Sequence, residues 1–211
     1  MGPFYRAGYS YSTGGVSVYD HDWPSLADGV AIPHGLYDLK HNKGFIQIGN
    51  SRDTTEFACD SLYHWWREHG QFDYPEATAL LLLADGGGSN SAHYHIFKQD
   101  LQRLANDLGI EIRMAHYPPY TSKYNPIEHR LFPHLTRACQ GLYFDSVEAV
   151  RDQMAKAKTK TGLSVVTTII DAVYETGRKA TDAFLENMPI LFDKHLPKWN
   201  YVARPQQPQK V

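Results

Sequence analysis

Apolar and polar positions alternate along this chain in two rhythms, and each rhythm predicts a set of elements. Residues 30–39 and 45–48 are short apolar runs joined by Lys40-His41-Asn42-Lys43-Gly44, a polar connector of hairpin length whose glycine can take positive φ. They predict two antiparallel strands, with Pro33 at a bend or on an edge because it offers no N–H to a ladder. Asp53-Thr54-Thr55-Glu56 has the form of a capping box. Phe57, Ala58, Leu62, Trp65 and Trp66 follow it at helical spacing, and Gly70 is the expected stop. Residues 79–85 are an apolar run closed by Asp85, which predicts a buried strand. Tyr94, Phe97, Leu101, Leu104 and Leu108 share one helical face that ends at Gly109. Ile110, Ile112 and Met114 then alternate with Glu111, Arg113 and Ala115, the pattern of a half-buried strand.

Another helix is predicted after Asn125-Pro126. Asp145-Ser146-Val147-Glu148 caps one more, with Val147, Val150, Met154 and Ala157 on a single face. From Thr159 onward the pattern weakens: residues 163–170 read as strand or helix, 182–188 as a short helix and 197–211 as a polar tail. The first thirty residues are rich in Gly, Ser, Tyr and His without a helical period, as in a loop or irregular hairpin. A hairpin followed by strand, helix, strand and helix predicts an α/β chain with a mixed sheet covered by helices.

Composition narrows the function classes. The 211 residues, 42% of them apolar, suffice for one compact α/β domain with an appendage. A formal net charge of −2 argues against a free-standing DNA-binding module, since phosphate affinity comes from clustered Lys and Arg. Any nucleic-acid contact must then be local or metal-assisted. Cys59 and Cys139 fit neither a disulfide framework nor a zinc site, and both are expected as small buried residues. No apolar segment approaches the roughly 20 residues that span a bilayer, and Met1-Gly2-Pro3-Phe4-Tyr5-Arg6 lacks the apolar core of a signal peptide, so a soluble, cytoplasmic protein without membrane contact is expected.

Two acids carry the candidate chemistry. Asp85 stands at the mouth of the apolar strand and opens into Gly86-Gly87-Gly88-Ser89-Asn90, with bare backbone beside the carboxylate. Glu128 stands at the start of a helix in Thr121-Ser122-Lys123-Tyr124-Asn125-Pro126-Ile127-Glu128-His129. Carboxylates so presented suit a hard divalent cation. Each also has a purely structural reading: Glu128 as the third residue of a capping box begun by Asn125, and Asp85 as a turn acid bonded to the glycine amides. The glycine run lacks the Gly-Lys-Ser/Thr ending of a P-loop, and Ser89 lacks a nucleophile elbow. His93 and His95, two apart on a helix, do not share a face for zinc. Lys123 and Arg130 flank Glu128 and could meet phosphates. Tyr117, Tyr120 and Tyr124 could stack on unpaired bases or pack within their loop. Asp38 reads as structural, and Asp20 and Asp22 as loop acids.

Five blocks in order carry a resemblance: Ala31-Ile32-Pro33-His34-Gly35-Leu36-Tyr37-Asp38; Ala84-Asp85-Gly86-Gly87-Gly88-Ser89-Asn90; Pro119-Tyr120-Thr121-Ser122-Lys123-Tyr124-Asn125-Pro126-Ile127-Glu128-His129-Arg130-Leu131-Phe132; Lys160-Thr161-Gly162-Leu163; and Trp199-Asn200-Tyr201. From about Asp20 to Pro205 the chain resembles the catalytic part of ISAzo13-type DDE transposases of bacterial insertion sequences. That resemblance implies a ribonuclease H-like mixed sheet flanked by helices. It also implies metal-dependent DNA cleavage and strand transfer with Mg²⁺ or Mn²⁺, acting on insertion-sequence ends and target DNA. By position, Asp85 is the second acid of the triad and Glu128 the third, both metal ligands, and Lys123, Arg130 and Asn90 are candidate DNA contacts.

In the family, the first acid lies on a central strand that precedes the segment beginning here at Met1, together with a DNA-binding region. The expectation is therefore an N-terminally truncated chain. The missing strand would belong between the one ending near Asp38 and the one ending at Asp85. On this reading residues 1–158 are the incomplete catalytic domain, 159–205 an extension of the same domain and 206–211 a tail. The partners would then include the missing N-terminal part or another transposase chain. The alternative is a catalytically inactive remnant that binds DNA or an intact transposase.

Overall fold

A computed structural model of the chain describes residues 1–21, 23–87 and 94–206. They form two compact units interleaved in sequence: Met1–Arg52 with Pro126–Val173, and Asp53–Asn125 with the described residues from Tyr174 on. The first unit begins with β1 (Ile32–Asp38) and β2 (Lys43–Gly49). The second takes α1 (Thr55–Trp65), α2 (Gln71–Asp73), β3 (Ala79–Ala84), α3 (His95–Leu108) and β4 (Glu111–His116). The chain returns to the first unit for α4 (Pro126–Arg130), α5 (Phe132–Ala138), α6 (Val147–Met154) and β5 (Ser164–Ile170). It ends in the second with α7 (Asp182–Glu186), β6 (Leu191–Phe192) and β7 (Asn200–Ala203). Where one mixed sheet was expected there are two, of order β1-β2-β5 and β3-β4-β7-β6 among the described residues.

In the first unit, β1 and β2 form the predicted antiparallel hairpin, closed at Asp38↔Lys43, and Pro33 sits on the edge strand. The positive φ of the turn falls on Asn42 (φ 53°) and not on Gly44. Gly44 serves close approach instead: it lies in β2, and a Cβ there would overlap the buried side chain of Leu131. The ambiguous stretch at 163–170 is β5, parallel to β2 from Lys43↔Ser164 to Gly49↔Ile170. Its Val165-Val166-Thr167-Thr168-Ile169-Ile170 run is β-branched throughout, which favours the pleated surface over a helix. Leu131, Leu135, Val147 and Val150 pack with Ile46 and Ile48 in the core, and Ser146 caps α6 by accepting from the Ala149 amide at 3.2 Å. Within residues 1–21, pairing is limited to the isolated bridges Gly2↔Phe144 and Phe4↔Tyr19.

In the second unit, Thr54 caps α1, its hydroxyl accepting from the Phe57 amide at 3.2 Å. The helix does not stop at Gly70 as its spacing predicts. It passes through a π turn (Trp66–Gly70) into α2, and Gly70 lies against the Trp66 ring, where a Cβ would stand 2.5 Å from Cε3. α3 ends as predicted, with Gly109 left-handed at φ 69°. Strands β3 and β4 are parallel, and β7 lies antiparallel to both β4 and β6. The segment expected as a polar tail thus supplies a central strand, whose Tyr201 is 1% exposed. By contrast β3, expected to be buried, ends its sheet and leaves Leu81 64% and Leu83 38% exposed.

A charge network ties the return segment of this unit to its helices. Asp100 on α3 is 2% exposed; it accepts from the Thr55 hydroxyl at 2.6 Å and from the two arms of the Arg178 guanidinium at 3.0 and 3.2 Å. Arg178 also reaches Glu56 at 3.1 Å, and Arg103 bridges Glu56 and Asp60, each at 3.1 Å. Burial pushes the Asp60 carboxyl and the Tyr174 phenol upward, and the two are joined by a 3.1 Å hydrogen bond from the phenol. Removing one partner of such a buried pair strands the other charge. Arg178→Ala is expected to destabilise the protein by about 3–5 kcal/mol in urea unfolding. Gly44→Ala, which forces Leu131 to move, should cost about 1–3 kcal/mol in the same measurement.

Candidate functional site

Asp85 follows β3 directly. The ladder with β4 closes with the Tyr117 amide donating to the Ala84 carbonyl at 2.8 Å, so Asp85 is the first residue beyond the pairing. Its side chain is exposed, and its carboxylate makes no hydrogen bond or ion pair among the described residues. The turn-acid reading of Asp85 therefore has no bond to support it among those residues. Ligands of open α/β sheets bind outside the carboxyl ends of the strands, which is where this carboxylate stands.

Glu128 is the third residue of α4 and half-buried. Its carboxylate also makes no hydrogen bond or ion pair among the described residues, so it does not close its own helix cap. Both groups offer hard oxygens with free lone pairs, the donor type that Mg²⁺ and Mn²⁺ take. Asp38 is different. Its side chain is 5% exposed, and its oxygens accept from the Lys40 and His41 amides at 2.9 and 3.1 Å and meet His41 Nδ1 at 3.0 Å, as a turn acid does.

Lys123 is exposed in a 3₁₀ turn (Ser122–Tyr124), with its ammonium 5.0 Å from the Tyr124 ring centroid. Arg130 is exposed at the end of α4. Tyr120 and Tyr124 are 100% and 64% exposed, and Tyr120 holds a left-handed backbone at φ 65°, so loop packing does not account for either ring. Asp20 is exposed beside His21. Asn90, Ser89, His93 and Asp22 lie outside the described residues.

Sequence reasoning passed over the residues that hold the Asp85 backbone. His116, last in β4 and 5% exposed, places Nδ1 3.0 Å from the Asp85 carbonyl oxygen and Nε2 2.9 Å from the Tyr201 hydroxyl. Lys98, in α3, is 5% exposed with its ammonium 4.9 Å from the Tyr201 ring centroid, and burial pulls its pKa down. The one available signal was the even phase of β4: His116 continues the inward series of Ile112 and Met114.

Fold and acids together define an α/β protein in which the Asp85 and Glu128 carboxylates make no hydrogen bond or ion pair among the described residues. The chain belongs to the ISAzo13-type DDE transposases: the family described as the Rhodopirellula transposase DDE domain matches residues 1–205. Membership carries a role in transposition, binding to DNA and use of a divalent metal ion. No curated protein and no solved structure matches the chain. No helix among the described residues is long and apolar enough to cross a membrane.

Because neither carboxylate makes a hydrogen bond or ion pair among the described residues, Asp85→Asn and Glu128→Gln should each change unfolding free energy by no more than about 0.5 kcal/mol, as measured by thermal melting. A large loss in either variant would show that the acid serves the fold.

Proposed function

We propose that this chain is the catalytic region of an insertion-sequence transposase with a ribonuclease H-like organisation, in which Asp85 and Glu128 are the second and third acids of a metal-binding triad. The observation that carries the reading is the Asp85 carboxylate, without a hydrogen bond or ion pair among the described residues at the C-terminal end of a parallel strand, in a chain of the DDE family. Asp85 and Glu128 would hold Mg²⁺ or Mn²⁺. A pair of such ions about 3.5–4 Å apart polarises a phosphodiester, activates the attacking oxygen and stabilises the leaving one. The protein's own part is to fix the two acids and to receive DNA. Lys123 and Arg130 are exposed cations suited to phosphates, and Tyr120 and Tyr124 are exposed rings suited to unpaired bases. Asn90 belongs to the same proposed DNA contact by its place in the family block.

The first acid of the triad would come from a strand other than those described. Asp38 is engaged by its own turn. The outer edge of β3, with Leu81 and Leu83 exposed, has the character of an edge that another strand covers. With two acids alone, the 211-residue chain should bind Mn²⁺ weakly and leave end-sequence DNA uncut.

A strand bearing a further acid, supplied by fusion ahead of residue 1, should restore Mn²⁺-dependent nicking of the element's ends, and Asp85→Asn or Glu128→Gln should then reduce it by at least about 10³-fold. Robust cutting by the chain alone, or nicking that survives both substitutions, would assign the chemistry to other residues. Failure of the supplied strand to restore nicking would favour a non-catalytic, DNA-binding role.

A further inference from the structure

The end of β3 is held by a buried relay that the proposed chemistry does not itself require. Asp85 is followed by Gly86 and Gly87, the least restrained backbone available, yet its carbonyl is engaged by an imidazole that is almost wholly buried. A carbonyl oxygen can only accept, so Nδ1 of His116 carries the proton on that side. In the neutral ring Nε2 must then accept, and its neighbour at 2.9 Å, the Tyr201 hydroxyl, is the donor. Burial raises the Tyr201 pKa, which keeps that hydroxyl protonated. Tyr201 is fixed in turn by its place in β7, opposite Met114, and by the adjacent bond from the His116 amide to the Trp199 carbonyl at 2.9 Å. The Phe97 ring stands edge-on to the imidazole at 6.4 Å between centroids.

We infer that His116 and Tyr201 are positioning residues for Asp85: a Tyr201 hydroxyl to His116 to Asp85 carbonyl relay fixes the peptide that follows the acid, and so aims its carboxylate from an otherwise loose strand end. This rests on the reading of Asp85 as a metal ligand. Outer contacts that orient a ligand typically change metal affinity about 10- to 100-fold when removed. An Asn at position 116 keeps an N–H donor near the place of Nδ1, whereas a Phe keeps the ring volume and loses the donor.

The test uses the full 211-residue chain with ¹⁵N-labelled histidine, the His116 signals being assigned by their loss in His116→Asn. The expected spectrum is the neutral Nδ1–H tautomer in the wild type and in Tyr201→Phe, with the unprotonated Nε2 signal displaced in Tyr201→Phe by loss of its hydrogen bond. A wild-type Nε2–H tautomer or a doubly protonated ring overturns the relay. In parallel, Mn²⁺ alone is titrated and followed by water-proton relaxation. His116→Phe should weaken binding about 10-fold or more, and His116→Asn should recover most of it. Equal affinities for these two variants, both folded by near-UV circular dichroism, overturn the positioning role. Asp85→Asn separates the two levels. If it weakens Mn²⁺ binding while the tautomer is wrong, only the relay fails; if it leaves Mn²⁺ binding unchanged, the metal reading of Asp85 fails and the positioning role falls with it.

Discussion

Strand β4 must satisfy its backbone on both sides, because Ile112, Met114 and His116 place it in the interior of the second unit. One side is met by β3 in parallel register. The other is met by residues 200–203, almost ninety positions later in the chain. That requirement draws the C-terminal segment into the fold. It places Tyr201 against His116, and through His116 it reaches the carbonyl of the residue that bears the candidate acid. The return segment is secured at further points: Arg204 to Glu111 at 2.7 Å, and the Gln102 side chain to the Arg204 carbonyl at 2.6 Å.

A buried charge supplies the second tie within this unit. Asp100 is removed from water, and among the described residues the Arg178 fork and the Thr55 hydroxyl bond to it. The return segment therefore does more than cover apolar surface, since it brings the cation without which an interior carboxylate would be costly. Asp85 and Glu128 stand at the opposite extreme. Their oxygens make no hydrogen bond or ion pair among the described residues.

Much of the local architecture was legible because it depends on neighbours close in sequence. The capping boxes at 53–56 and 145–148 and the left-handed Gly109 each rest on a few neighbouring residues; Gly109 is left-handed as read, and both helices are capped within their boxes, one residue later than the boxes place the cap, at Thr54 and Ser146. The period-two pattern of residues 110–115 and the hairpin after Asp38 were likewise readable. Gly70 misled because glycine ends helices but also admits a neighbouring indole, and the sequence does not distinguish the two uses. The run at 79–84 misled because a leucine-rich strand is built for cover on both faces, while the described chain covers it incompletely.

Taken by itself, the sequence determined most element types up to residue 158, the neighbourhood of two helix caps, and the two acids with their family context. Each of these depends on a periodicity or a motif a few residues long. Tertiary structure alone decided that there are two mixed sheets, that residues 200–203 are a central strand, that Asp38 is spent on its own turn and that His116 and Tyr201 hold the Asp85 backbone. Those outcomes rest on pairing between positions up to about a hundred and twenty residues apart, as in Gly49↔Ile170, where the choice of partner is set by which backbone edges and buried polar groups remain to be satisfied once the local elements have formed.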